Sequence, residues 1–251
     1  MSLCHLASIL SYEDGGIGGR DTCPVSDPAK SLEAVTADVI TCRACPRLVE
    51  WRETVAKNKR AAFAHEDYWG RPLPGFGDPN AHMLIVGLAP AAHGGNRTGR
   101  IFTGDRSGDW LFGSLYRTGW ANQPDSHHIG DGLRLEDAYI TAAVRCAPPA
   151  NKPTTEERDN CHNYLVRELE LLNRVQVIVA LGSFAWSSCL RAAVDVGAVV
   201  PRPRPRFGHL AETDLGRYHL LGSYHPSQQN TFTGKLTEAM LDAVFQRARE
   251  R

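Results

Sequence analysis

The chain has 251 residues, 42% of them hydrophobic, which suffices for one large or two small globular domains with a sizeable core. Its 28 Lys and Arg residues balance 28 Asp and Glu residues, so bulk charge favours neither a histone-like nucleic-acid binder nor an acidic tail protein. No run of 18 apolar residues and no secretory signal occurs in the sequence, so we expect a cytoplasmic protein without a membrane partner.

Residues 1 to 30 are rich in Gly, Ser, Asp and Pro, which predicts a flexible N-terminal arm before a single domain over residues 31 to 251. From Ser31 to Asn58, apolar residues recur at near-helical spacing around the sequence CRACP. We therefore predict two helices that flank a cysteine turn.

A β-branched run, HMLIV at residues 82–86, predicts a buried strand that ends in a glycine-rich loop. This loop, GLAPAAHGGNRTGRIFTGD at residues 87–105, contains five glycines and is called the first loop below. Its backbone N–H groups could approach a ligand closely, with Arg97 and Arg100 placing positive charge beside it. The loop lacks the P-loop and dinucleotide-fold motifs, which disfavours ATP and NAD.

Two side chains of the first loop have alternative interpretations. Phe102 is either a core residue or a platform on which a base stacks. Asp105 is either the cap of the following helix or a carboxylate that positions a water molecule, and the two roles are compatible.

The rest of the chain alternates between predicted helices and strands. The predicted helices cover residues 109–118, 155–173, 183–194 and 236–249, and further strands cover residues 138–144, 175–181 and 218–223. This alternation is typical of an α/β sheet with helices on its faces. The sequence PRPRPR at residues 201–206 predicts a stiff basic loop, because proline fixes φ and removes backbone donors.

The last predicted strand leads into a second polar loop, YHPSQQNTFTGK at residues 224–235, called the second loop below. His225 precedes a proline that fixes the turn, and it is either an ordinary satisfied histidine or a catalytic one. The hydrogen-bonding residues that end in Gly234-Lys235 favour contact with a backbone phosphate. In an open parallel sheet, loops of this kind meet outside the carboxyl ends of the strands, where ligands bind.

Four cysteines have a spacing that suggests a shared metal site. Cys42 and Cys45 form a C-x-x-C pair, and fourteen residues separate Cys146 from Cys161. Four thiolates suit either zinc or an iron–sulfur cluster, and the long second spacing favours the larger group. The remaining interpretation is that these cysteines are small buried hydrophobic residues.

Together, these motifs resemble the uracil-DNA glycosylase superfamily, and specifically its iron–sulfur branch, called family 5 or type b. The resemblance covers residues 38 to 248 and rests on the first loop, the second loop and the C-x-x-C with C-x14-C spacing. It implies a three-layer α/β/α fold with a central four-stranded parallel sheet. It also implies a structural 4Fe-4S cluster held by Cys42, Cys45, Cys146 and Cys161.

The resemblance implies an enzyme that removes uracil and other deaminated bases from double-stranded DNA. We expect it to flip the base out of the duplex and to be monofunctional, without strand cleavage. We also expect a monomer that associates with the nucleoid. We expect His225, Asp105 and Asn96 as catalytic residues. The expected base-binding residues are Gly87, Ala89, Ala91, His93 and Phe102. The expected DNA-binding residues are Arg97, Arg100, Arg204, Ser227, Asn230 and Lys235. Two alternatives from other classes are a non-catalytic iron–sulfur DNA-binding module that senses damage and a nucleotide-processing enzyme.

The sequence departs from its sister families at two places. Leu88 and Ala89 occupy the positions where related glycosylases carry a polar residue that activates water, so Asp105, or else Asn96, is the candidate for that task. Ala142 stands where family 4 has the Asn that reads the uracil edge, which predicts looser base selection. The resemblance to family 5 implies that hydroxymethyluracil, ethenocytosine and hypoxanthine are also accepted.

Overall fold

A computed structural model describes residues 28 to 251, so residues 1 to 27 of the predicted arm lie outside the described residues. The helices are α1 (Pro28–Thr41), α2 (Pro46–Asn58), α3 (Gly95–Thr98), α4 (Arg106–Arg117), α5 (Thr155–Leu171), α6 (Ser183–Asp195), α7 (Gln228–Phe232) and α8 (Glu238–Arg249). The strands are β1 (Phe76–Gly77), β2 (Met83–Gly87), β3 (Ala138–Ala142), β4 (Val177–Leu181), β5 (Glu212–Asp214) and β6 (His219–Ser223). No helix within this range is long and apolar enough to cross a membrane.

Between residues 28 and 251, six strands form one sheet in the order β1-β3-β2-β4-β6-β5. The four inner strands run parallel, which confirms the predicted four-stranded parallel sheet. The edge strands β1 and β5 pair in the antiparallel direction and were not predicted. They have two and three residues, too few for an alternating pattern to appear in the sequence.

The inner strands are buried on both faces because helices cover the sheet on each side. Ile85 of β2 faces a core shared with Leu111 of α4 and Phe245 of α8. Leu84, its neighbour in β2, faces the opposite core, which contains Trp186 of α6. This arrangement confirms the three-layer α/β/α architecture.

Helix starts follow local capping chemistry. Helix α5 begins with a capping box, in which the Thr154 hydroxyl accepts a hydrogen bond from the Glu157 N–H at 3.2 Å and the Glu157 carboxylate accepts one from the Thr154 N–H at 2.8 Å. Helix α4 begins three residues earlier than the aromatic spacing predicted, because Asp105 caps it. Since β2 and β6 are parallel and separated by β4 alone, the first and second loops leave the sheet at the same edge.

Candidate active site and cysteine pocket

A cleft of about 600 Å³ opens at this edge of the sheet. The first loop contributes Ala89, Ala91 and Phe102 to its lining, and the second loop contributes His225. The N-terminus of α4 adds Asp105 and thereby completes one wall. Residues that are more than one hundred positions apart in the sequence therefore face one cavity.

Phe102 lines the cleft. Its side chain is largely buried, and its ring centre lies 5.8 Å from the ring centre of His225. A Cβ atom on Gly87 would lie 2.8 Å from the Phe102 ring, so the ring packs directly over the glycine at the end of β2. Phe102 has a φ of 52°, which is uncommon for a non-glycine residue and is typical of strained functional positions.

Asp105 has one carboxylate oxygen engaged and the other directed toward a glycine. Its Oδ1 accepts hydrogen bonds from the N–H groups of Ser107 at 2.9 Å and Gly108 at 3.1 Å, which caps α4. A Cβ atom on Gly94 would lie 1.9 Å from Oδ2, so this part of the loop needs a residue without a side chain. Burial raises the pKa of Asp105, although the two backbone N–H donors act in the opposite direction.

His225 is held by the second loop. Its backbone carbonyl accepts a hydrogen bond from Nδ2 of Asn230 at 2.8 Å, and the Ser227 hydroxyl accepts one from the Asn230 N–H at 3.3 Å. Burial lowers the pKa of His225 to about 4, because the enclosed site disfavours the charged imidazolium. The ring that faces the cleft is therefore neutral at physiological pH.

Three polar residues of the first loop lie inside the protein and do not line the cleft. Asn96 is fully buried, and its Nδ2 donates to the carbonyl oxygen of Arg52 at 3.2 Å. Arg97 pairs with Glu66 and also donates to the Gly104 carbonyl. Arg100 lies 2.6 Å from a carboxylate oxygen of Asp131. These contacts hold the three side chains away from the cleft. Of the two residues predicted to position water, Asp105 lines the cleft and Asn96 does not.

Three other predicted residues, His93, Lys235 and Arg204, do not line the cleft. The Nδ1 atom of His93 lies 3.0 Å from the Tyr68 hydroxyl. Lys235 is exposed, and its ammonium lies 4.8 Å from the ring centre of Tyr224. Arg204 is also exposed, beside α6.

The sequence interpretation missed several cleft residues. Gln228 and Gln229 line the cleft directly after the His-Pro-Ser motif, so their position in the second loop was an available signal. Arg106 lines the cleft beside Asp105, and its guanidinium lies over the exposed ring of Phe232 at 4.3 Å. Asn151 reaches the cleft from the loop after β3, and no motif marked this contribution.

The four predicted ligand cysteines converge in what we call the cysteine pocket. Cys45, Cys146 and Cys161 are buried in one small core, and Cys42 is half-buried beside it at the end of α1. All four are free thiols. Burial raises the pKa of Cys146 to about 11 and that of Cys161 to about 12, so without a metal these two sulfurs are neutral.

Arg52 shows that the cysteine pocket suits an anionic metal group. Its buried guanidinium donates to the Cys146 sulfur at 2.9 Å and to the Cys42 carbonyl at 3.1 Å, while its Nε has no partner among residues 30 to 251. A carboxylate oxygen of Glu53 lies 3.9 Å from this guanidinium, and thiolates bound to a cluster would add negative charge on the side of Cys146. Within the described residues, no group of three or more His, Cys, Asp or Glu side chains is placed to hold a metal ion. The fit to an iron–sulfur cluster therefore rests on the four thiols as donors and on the neighbouring guanidinium of Arg52.

A protein-family model matches most of the chain. The model of the uracil DNA glycosylase superfamily matches residues 74–249. The chain therefore belongs to the uracil-DNA glycosylase superfamily, which is consistent with its α/β sheet and its cleft between two loops.

Individual relatives narrow this classification. The type-5 uracil-DNA glycosylase of Mycobacterium tuberculosis is 54% identical over 224 residues, which are 88% of this chain and 82% of that protein. The type-5 enzyme of Thermus thermophilus is 51% identical over 218 residues, or 86% and 96% of the two chains. The type-4 uracil-DNA glycosylase of Archaeoglobus fulgidus is 34% identical over 157 residues, 62% of each chain. Within the superfamily, the chain belongs to the type-5 family.

Proposed function

We propose that this protein is a uracil-DNA glycosylase that hydrolyses the N-glycosidic bond of uracil in DNA and leaves an abasic site. The observation that carries the proposal is the convergence of Phe102, Asp105 and His225 in one cleft. An aromatic ring, a carboxylate and a neutral imidazole in one enclosed site supply stacking, charge stabilisation and a hydrogen-bond donor.

The target base enters this cleft after the nucleotide is flipped out of the duplex, which is easiest at a mispair such as uracil opposite guanine. Phe102 stacks on the base, and the backbone around Gly87 and Ala89 approaches its edge. On the side of the first loop, Ala89 and Ala91 offer the base no hydrogen-bonding side chain, so backbone groups would read its edge there. We extend the proposed substrates to hydroxymethyluracil, ethenocytosine and hypoxanthine, which backbone groups would discriminate weakly.

The chemistry follows from the protonation states of the two polar residues. The neutral His225 donates a hydrogen bond to the base carbonyl oxygen, on which negative charge accumulates as the glycosidic bond breaks. Asp105 uses its Oδ2 to orient the attacking water and to stabilise the positive charge on the sugar. Both residues act more strongly on the transition state than on the bound substrate.

We propose a monofunctional reaction without a covalent enzyme intermediate. A glycosylase that also cleaves the strand would need an amine to form a Schiff base. No lysine lines the cleft in the described part of the chain. Borohydride reduction during turnover should therefore trap no enzyme–DNA adduct, and a trapped adduct would refute this part of the proposal.

Cys42, Cys45, Cys146 and Cys161 would hold a 4Fe-4S cluster. When bound, the cluster would supply a structural cross-link between the α1–α2 turn, the end of β3 and helix α5, with no redox step. Ala89 packs against the same small core as the cysteines, so the cross-link would also support the wall of the cleft.

The function is tested with duplexes that carry one uracil opposite guanine, followed by alkali to reveal abasic sites. We expect excision by the wild type and a loss on the order of a hundredfold or more in His225→Ala. His65→Ala provides the matched control, because His65 is exposed and does not line the cleft. Absence of excision by the wild type, or equal rates for both variants, would contradict the proposal.

A further inference from the structure

The segment Pro201–Arg206, called the basic segment below, is fixed at the cleft edge of the sheet. The Trp186 indole N–H donates to the Pro205 carbonyl at 3.1 Å. Phe207 follows directly, and its ring lies 6.1 Å from the Trp186 ring and 6.3 Å from the Tyr224 ring, measured between ring centres. Since Tyr224 immediately precedes His225, a chain of aromatic contacts joins the basic segment to the second loop.

The charge of the basic segment is uncompensated within the described residues. Arg202, Arg204 and Arg206 are all exposed, and none lies within ion-pairing distance of an acidic side chain between residues 30 and 251. Arg100 and Arg145, by contrast, lie 2.6 Å from carboxylate oxygens. A chain with zero net charge thus leaves three neighbouring positive charges free beside its cleft.

We propose that the basic segment is a preformed docking surface for the phosphate backbone of the DNA duplex next to the flipped nucleotide. This inference rests on the proposed function and assigns part of its DNA contact area. Three alternating prolines restrict the backbone, so little conformational entropy is lost when the arginines meet a ligand. A polyanion complements three unpaired guanidinium groups, which bind phosphate oxygens in bidentate geometry.

The location predicts which kinetic parameter the basic segment affects. None of its residues lines the cleft, so the arginines contact DNA outside the reacting nucleotide. Their interactions are the same before and during bond cleavage, so removing them should raise KM and leave kcat nearly unchanged. Each lost phosphate contact should reduce the salt slope of binding by roughly 0.9, or about 2.7 for three contacts.

The test compares the full-length wild type with the triple variant R202Q/R204Q/R206Q on an undamaged duplex. Fluorescence anisotropy over a series of salt concentrations gives the slope of log Kd against log salt, and thermal melting checks that the fold is kept. The matched control is R174Q/R217Q, which neutralises two exposed arginines that precede β4 and β6 at the opposite edge of the sheet.

We expect the slope of log Kd against log salt to be smaller by about 2 to 3 in the triple variant than in the wild type, while the control keeps the wild-type slope. An unchanged slope in the triple variant would overturn the inference, because the three arginines would then make no contact with DNA phosphates. An equal fall per charge in the control would also overturn it, because general charge would then explain the effect. If the wild type binds DNA but excises no uracil, the proposed function fails while the slope comparison remains valid.

Discussion

Replacement of Asp105 by Asn separates the two roles that this residue combines. Asn keeps a side-chain oxygen that can accept from the N–H groups of Ser107 and Gly108, and Asn and Asp are about equally good N-cap residues. The substitution removes the negative charge that we assign to the reaction. We therefore expect a large effect on catalysis and a small effect on folding.

The magnitudes follow from the structure. A positioned acid–base group contributes roughly 10²- to 10⁴-fold to a rate, so kcat should fall by about that factor in D105N. Burial disfavours the ionised carboxylate, which costs folding free energy at pH values above its raised pKa. Because Asn is uncharged and retains the cap, the free energy of unfolding at pH 7 should stay the same or rise.

Single-turnover excision of uracil from a duplex gives the rate, and urea denaturation gives the free energy of unfolding. Thr237→Ala is the stability control, because Thr237 caps α8 away from the cleft by accepting from the Met240 N–H at 3.2 Å. It should lose about 1 kcal/mol of stability and retain wild-type excision. Wild-type excision in D105N would refute the catalytic role, and a stability loss as large as that of T237A would refute the reasoning about the cap.

Three other predictions concern pH, the cysteines and the core. Burial raises the pKa of Asp105 above its ordinary value of 3.8, so the excision rate should fall as the pH decreases through that pKa. The residual activity of D105N should not show this fall. Cys161→Ala should contain less iron per chain than the wild type and should unfold at a lower temperature; equal iron content would contradict the assigned ligand. In Arg145→Met, the buried carboxylate of Glu168 would lose the partner that lies 2.6 Å away, so we expect a loss of about 3 to 5 kcal/mol. R145M/E168L should recover most of that stability, and failure to recover would mean that the loss came from packing.

The fold was predictable in its centre and less so at its margins. The inner strands are short apolar runs, which indicate a buried strand whatever its neighbours in the sheet, and the helices between them have clear periodicity. The edge strands β1 and β5 carry no such pattern, since they exist through pairing with β3 and β6. The start of α4 at Arg106 confirms Asp105 as the predicted cap, whereas the aromatic spacing alone placed the start three residues later.

The sequence by itself determined the type of chemistry. The two polar loops and the four cysteines are local patterns, and the parallel strand order implied by the α/β alternation brings such loops to one edge of the sheet. The spacing of Cys146 and Cys161 likewise predicted a pair that the end of β3 and helix α5 hold together. These conclusions depend on residue type and separation, which one sequence contains.

Only the tertiary structure decided which polar residues face the cleft. Asn96 and Asp105 are both polar members of the first loop, yet Asn96 is bound to the backbone of α2 while Asp105 lines the cleft. The direction of a side chain in an irregular loop depends on partners that are distant in the sequence, such as Arg52 for Asn96. Burial, which lowers the pKa of His225 and keeps its ring neutral, is also a property of the assembled fold.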